Sequence, residues 1–224
     1  MLSSKKRALD GQVALVTGAG QGTGRATALA LAARGVRVVV AGREERALAE
    51  VVGEIACGGG KARHVAGDVR DRAHLRAAVA RAVEAFGALD IAVANVEVRS
   101  ASDAARSSDQ DEALADAVVQ ATLMGPYNTF AAAMRAVKGP GRLLAIDASS
   151  VTRGAAGYAA HYAARAGIRG LVRAVALEVS ARGITCNALL GGGAIEAEVV
   201  AEVVLFLCSS AGGAITGQSI ETDA

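Results

Sequence analysis

The chain has no tryptophan, only two prolines and three cysteines, and aromatic side chains make up just 3% of its 224 residues. A core without large rings has to be filled by Ala, Val, Leu and Ile, which pack closely where helices lie on a parallel sheet. The cysteines, Cys57, Cys186 and Cys208, are odd in number and far apart. They form no CxxC pair and have no neighbouring histidine, so neither a zinc site nor a disulfide framework is indicated, and they are expected to be small buried hydrophobes in a reducing cytoplasm. No run of about 18 apolar residues is free of charge or glycine punctuation, so no membrane span is expected. Ser3-Ser4-Lys5-Lys6-Arg7 is basic but is not followed by an apolar leader stretch, and the expected location is cytoplasmic. Charge of one sign is missing too. The 24 basic residues are interspersed with 22 acidic ones for a net charge of +2, leaving no basic stripe joined to stacking aromatics and no nucleic-acid partner.

What is present is apolar content, 52% of the chain, and glycine, 27 residues; disorder is thereby excluded. Apolar runs alternate with helical patterns. Strands are expected at Val13–Thr17, Val36–Ala41, Ala62–Ala66, Leu89–Ala94, Leu143–Ile146, Thr185–Leu189 and Gln218–Thr222. Helices are expected at Arg25–Arg34, Glu44–Ala56, Asp71–Phe86, Gln110–Val137 with a bend at Gly125-Pro126, Tyr158–Arg182 and Glu196–Cys208. Gly167 and Gly170 are expected to let neighbours approach the Tyr158–Arg182 helix. Repeated βα units imply a single α/β domain over residues 1–224, with residues 1–10 as a flexible N-terminus. Its doubly wound parallel sheet carries helices on both faces, because right-handed crossovers leave few alternatives.

The most specific signal follows the first strand: Thr17-Gly18-Ala19-Gly20-Gln21-Gly22-Thr23-Gly24. Glycines at a strand's carboxyl end let the backbone turn sharply and approach a pyrophosphate, and the next helix offers free N–H groups and the positive end of its dipole. The TGxxxGxG spacing resembles the short-chain dehydrogenase/reductase family, which has a Rossmann-type fold. The resemblance runs along the chain through Asp68-Val69, Leu89-Asp90-Ile91, Gly141-Arg142-Leu143-Leu144, Arg182-Gly183-Ile184-Thr185-Cys186-Asn187-Ala188 and Ile215-Thr216-Gly217-Gln218. It implies an NAD(P) site built from Thr17, Gly18, Gly20, Gln21, Gly22, Thr23 and Gly24, with Asp68 and Val69 at the adenine and Asn95 after strand four. The second strand ends in Ala41-Gly42-Arg43 rather than in the carboxylate that would hold a ribose 2′-hydroxyl. Arg43 therefore leans toward NADP, by its fit to a 2′-phosphate, unless it only begins a solvated helix with Glu44, Glu45 and Arg46.

The family's catalytic set is Asn, Ser, Tyr and Lys, with Tyr handling the proton and Lys lowering its pKa. Here the YxxxK motif is absent. One register places His161 at Tyr and Arg165 at Lys, four apart on one helix face, with Ser149 or Ser150 as the serine. The other keeps a thirteen-residue step from Ser149 to Tyr162 but leaves Ala166 at the Lys position. His161 could carry a proton near neutrality, although an adjacent guanidinium would oppose the imidazolium. The family Asn position reads Thr122, with Asn128 nearly two turns later. Glu97 replaces a glycine after Asn95. The substrate lid is missing, since only Gly191-Gly192-Gly193-Ala194-Ile195 separates Leu190 from Glu196. The resemblance then implies a catalytically impaired subunit paired with an active paralogue as a heterodimer or heterotetramer. Heteromeric hydroxyacyl-CoA dehydrogenases of anaerobic aromatic degradation offer the analogy. The alternatives are an active carbonyl reductase or alcohol dehydrogenase using His161 or Tyr162, and a nucleotide-binding sensor without turnover.

Overall fold

The computed structural model describes residues 9–95, 112–147, 156–191 and 196–222. Among the described residues, seven parallel strands form one sheet in the order β3-β2-β1-β4-β5-β6-β7. In chain order these are β1 (Val13–Thr17), β2 (Arg37–Gly42), β3 (Ala62–Ala66), β4 (Ile91–Asn95), β5 (Arg142–Asp147), β6 (Thr185–Gly191) and β7 (Ser219–Thr222). The central strands are hydrophobic on both faces because both are covered. Along β1, Val13 and Leu15 pack under one helical layer while Ala14 and Val16 pack under the other, as the period of two along a strand requires.

One layer holds α1 (Gly22–Ala33), α2 (Glu45–Cys57) and α7 (Ala197–Cys208), which bury Leu31, Leu48, Val51 and Val204. The opposite layer holds α3 (Arg72–Phe86), α5 (Gly125–Ala136) and α6 (Ala159–Val179), with Phe130, Ala133, Ile168 and Val172 against the sheet. The chain winds outward from β1 to β3 on one side and then starts β4 on the other side of β1. Ligands of doubly wound sheets bind in the crevice opened by this reversal, at the carboxyl ends of the strands.

Boundaries shift by one to three residues from the expected ones at most elements, in keeping with end turns set by capping rather than by apolar periodicity. The α1 helix starts at Gly22 because Gly22 and Gly24 already belong to its first turn. Asp71 is not the first residue of α3 but its N-cap, accepting from the Ala73 amide at 2.7 Å. The expected long helix is divided into α4 (Glu112–Val119), a π-helical turn at Gln120–Met124, and α5. The irregularity ends just before Pro126, which has no N–H to give to the preceding turn, while the Gly125 amide reaches back five residues to the Gln120 carbonyl.

Leu9 is buried in the core beside α1, and the Gln12 amide donates to its carbonyl at 3.2 Å. Two expectations need correction. Gly167 does admit a neighbour, since a Cβ there would lie 2.7 Å from the Leu123 side chain, but Gly170 faces open space. Cys57, at the end of α2, is exposed rather than buried.

Cys186 and Cys208 are buried, and burial pushes both thiols up to about 12. Since the thiolate is the reactive form, an aromatic disulfide reagent is expected to titrate one thiol in the native protein and three after denaturation. Loss of the fast native phase in Cys57→Ser confirms the assignment, and two fast thiols would contradict the burial of Cys186 or Cys208. Among the described residues, no helix is long and apolar enough to cross a membrane.

Candidate nucleotide and catalytic site

The glycine turn joins the carboxyl end of β1 to α1 and lies against the end of β4. Gly18 has φ +60, and a Cβ on it would overlap the Asn95 carbonyl. A Cβ on Gly24 would overlap the Gly18 carbonyl and approach the Asn95 side-chain amide within 2.7 Å. Asn95 locks this packing by donating from Nδ2 to the Gly18 carbonyl at 3.2 Å, and the Thr17 hydroxyl donates to the Asn95 carbonyl at 3.4 Å. Gln21 is the N-cap of α1 but gives no side-chain cap bond, and the first turn has no acidic residue. The N-terminal amides are thus left to an outside anion, with the helix dipole behind them. This cradle, closed to any Cβ, fits the pyrophosphate of a dinucleotide.

A cavity of about 430 Å³ runs from this turn along the ends of β2 and β3. Of the sequence-predicted residues, Gly18, Gly20, Gln21, Arg43, Asp68, Val69 and Asn95 line it. Thr17, Thr23 and Gly24 are buried behind it, and Gly22 is exposed at the start of α1. At the far end Arg70 meets Asp68, with Nε 3.0 Å from each carboxylate oxygen, Nη2 2.7 Å from Oδ2, and its backbone amide 2.8 Å from Oδ1. The Arg70 guanidinium holds the Asp68 carboxyl below the usual range. His74 packs beneath Gly67, which has φ +158 and no room for a Cβ. Burial pushes the His74 pKa down, against the opposing pull of the Asp71 and Asp68 carboxylates.

The turn carrying Asp68 and Val69 is held from across the helical layer. Asn128 of α5 accepts from Arg72 Nε at 3.0 Å, and its amide lies 3.5 Å from the Val69 carbonyl. Arg72 in turn lies over the Tyr127 ring, 6.0 Å from its centroid. Asn128 thus holds the Asp68–Val69 turn, which lines the cavity. Its partners are 56 and 59 residues away in sequence, and no local pattern marks it.

The second group of candidates sits on α6. His161 and Arg165 are both buried on one helix face, and Tyr162 is half-buried. None of the three lines the 430 Å³ cavity. His161 makes an edge-to-face contact with Tyr158, the ring centroids being 5.7 Å apart. Arg165 Nε lies 3.0 Å from Oδ2 of Asp147, the last residue of β5, and their side chains are only 9% and 4% exposed. The positive charge expected to oppose a His161 imidazolium is therefore matched by a carboxylate. Asp147 went unmarked in the sequence because only the register of β5 against the α6 layer brings it to Arg165. Thr122 is buried in the π turn, which packs against Gly167 of α6 through Leu123. Ser149, Ser150 and Glu97 lie outside the described residues, as does most of the short connection between β6 and α7.

The glycine cradle at the switch point, the pocket beyond it and the all-parallel sheet define a dinucleotide-binding oxidoreductase fold. The chain matches the short chain dehydrogenase family over residues 12–204 and belongs to it. It is 37% identical over 181 residues to the short-chain reductase protein NovJ of Streptomyces niveus, covering 80% of this chain and 68% of that one. It is 35% identical to a 3-oxoacyl-[acyl-carrier-protein] reductase of a Synechocystis species over 188 residues, 83% of this chain and 75% of the relative. Among solved structures, a short chain dehydrogenase from Burkholderia cenocepacia in complex with NADP superposes with a TM-score of 0.89 at 29% identity, covering 96% of this chain and 98% of that one. A dehydrogenase/reductase from Sinorhizobium meliloti superposes with a TM-score of 0.90 at 26% identity, covering 98% and 97%.

Proposed function

We propose that this chain is a nucleotide-binding member of the short-chain dehydrogenase family whose own proton-transfer machinery is impaired, and that it serves beside a catalytically intact paralogue in a heteromeric dehydrogenase. Its nucleotide end keeps what binding requires: the Gly18 and Gly24 cradle, the uncapped start of α1, and Arg43, Asp68 and Val69 around the adenosine pocket. A bound nicotinamide nucleotide would supply the hydride-transfer chemistry there. NADP(H) is the favoured form, because Arg43 takes the place of a ribose-binding carboxylate and a structural relative holds NADP.

The observation that carries the impairment is the buried Asp147–Arg165 pair. A lysine aligned with Arg165 would have to reach both a ribose and the catalytic tyrosine. The Arg165 guanidinium is planar, longer and committed to a carboxylate. With His161 at the tyrosine position, neither half of the family's proton-handling pair is in its usual form. A paralogue with an intact Ser, Tyr and Lys set would provide the turnover, on carbonyl or alcohol substrates of the kind named for the reductase relatives.

One observation favours a second reading, an active reductase with a histidine acid. Arg165, one turn along α6 from His161, is accompanied by the Asp147 carboxylate rather than standing as an uncompensated cation. Titration of the isolated chain with NADPH and NADH, followed by a turnover assay on 3-oxoacyl thioesters, ketones and secondary alcohols, separates the two. Nucleotide binding without hydride transfer, together with co-purification of an intact paralogue from the native cells, is the expected result. Turnover by the isolated chain that disappears in His161→Ala establishes the second reading, and failure to bind either nucleotide overturns both.

A further inference from the structure

The adenosine end of the cavity is lined by four charged residues, Arg43, Glu44, Asp68 and Arg70. They do not act as four independent charges. Arg70 meets both oxygens of the Asp68 carboxylate through two nitrogens, at 2.7–3.0 Å, and the Arg70 backbone amide adds a further bond at 2.8 Å. Charge-assisted, forked pairing of this kind is the strong form of the arginine–carboxylate contact. Asp68 is only 28% exposed on its side chain, whereas Arg70 is 50% exposed. The less solvated partner is thus the carboxylate facing the pocket. Arg43 is exposed at the carboxyl end of β2 and has no ion pair among the described residues.

Asp68 and Arg43 line the same cavity, so a bare carboxylate at Asp68 would repel a phosphate brought to Arg43. Paired with Arg70, it keeps acceptor capacity for an amino group while its net charge is cancelled locally, and the Arg43 cation is left to act on the phosphate. We infer that Arg70 is a specificity-determining residue: by neutralising Asp68 it sets the pocket to prefer 2′-phosphorylated dinucleotides over their 2′-hydroxyl forms. The inference rests on the reading above that this cavity takes a dinucleotide. Arg70 acts through Asp68 and need not touch the phosphate.

The test is a mutant cycle on the full chain, reading the ratio of Kd for NADH to Kd for NADPH by isothermal titration. Arg70→Ala is expected to lower this ratio roughly tenfold, mostly through weaker NADPH binding, as unmasking one carboxylate near a phosphate in partly solvated surroundings implies. Adding Asp68→Asn to Arg70→Ala removes the unmasked charge while keeping an acceptor, and is expected to restore the ratio to within about threefold of the parent. An unchanged ratio in Arg70→Ala overturns the inference. So does a fall that Asp68→Asn leaves uncorrected, which would mean that Arg70 touches the phosphate itself. A parent protein that binds neither nucleotide refutes the nucleotide reading instead, so the two failures are distinguishable. Both exchanges are at partly exposed positions, and an unchanged thermal transition shows that the fold is retained.

Discussion

Arg165→Ala is expected to destabilise the protein by about 3–5 kcal/mol, and Asp147→Ala by a similar amount, lowering the melting temperature by roughly 10 °C for a chain of this size. With side-chain exposures of 9% and 4%, removing either partner leaves a charge buried without its counter-ion. That cost, rather than the net attraction of the pair, makes the single exchanges severe. Replacing both together, as Asp147→Leu with Arg165→Met, is expected to return stability to within about 1 kcal/mol of the parent, since no buried charge is left. Urea and thermal denaturation of the four proteins form the check. Single variants that lose less than about 1 kcal/mol would show that the pair is hydrated in solution and does not hold Arg165 in place. If the pair is as tight as the geometry indicates, it also explains why an arginine here cannot simply stand in for a lysine.

Gly24→Ala is expected to weaken binding of NADPH by roughly 30-fold or more, about 2 kcal/mol, in a calorimetric titration. The added methyl meets the Gly18 carbonyl and the Asn95 amide. Neither can retreat cheaply. Asn95 ends β4 in register with Ile146 of β5, while Gly18 is held by the Asn95 bond and by its place after β1. Relief has to come from moving the start of α1, the element whose amides face the pyrophosphate site. Affinity retained within about threefold would take the glycine turn out of the binding site and remove the strongest support for a nucleotide-dependent role.

Much of the architecture is legible in the sequence because it follows from local chemistry. The continuous apolar runs of the strands, the glycine turn after β1 and the amphipathic α2 each carry their signal within a few residues. The alternation of strands and helices then left little freedom in the handedness of the crossovers. Where local reading failed, the cause was long-range or conformational. The π turn before Pro126 depends on which carbonyls the chain gives up around a missing N–H. The exposure of Cys57 depends on how far α2 extends past its last buried residue, Ile55.

The candidate site divides along the same line. The glycine turn after β1 is a contiguous motif, legible from its spacing. The residues that hold or modify the site are scattered. Asn128 reaches the Asp68–Val69 turn from α5, Asp147 reaches Arg165 from the end of β5, and Asn95 reaches Gly18 from β4. Arg70 was close in sequence to Asp68, yet its meaning depended on its side chain folding back onto that carboxylate.

By itself, then, the sequence determined the doubly wound parallel sheet, the glycine cradle and the loss of the YxxxK pattern, because each is written in short-range order of residue types. Only the tertiary structure decided that Arg165 is paired with Asp147, that Asn128 holds the Asp68–Val69 turn, and that Asp68 is paired with Arg70. Those are pairings of charge and hydrogen bond whose partners are chosen by packing, and packing is settled by the whole sheet and both of its helical layers together.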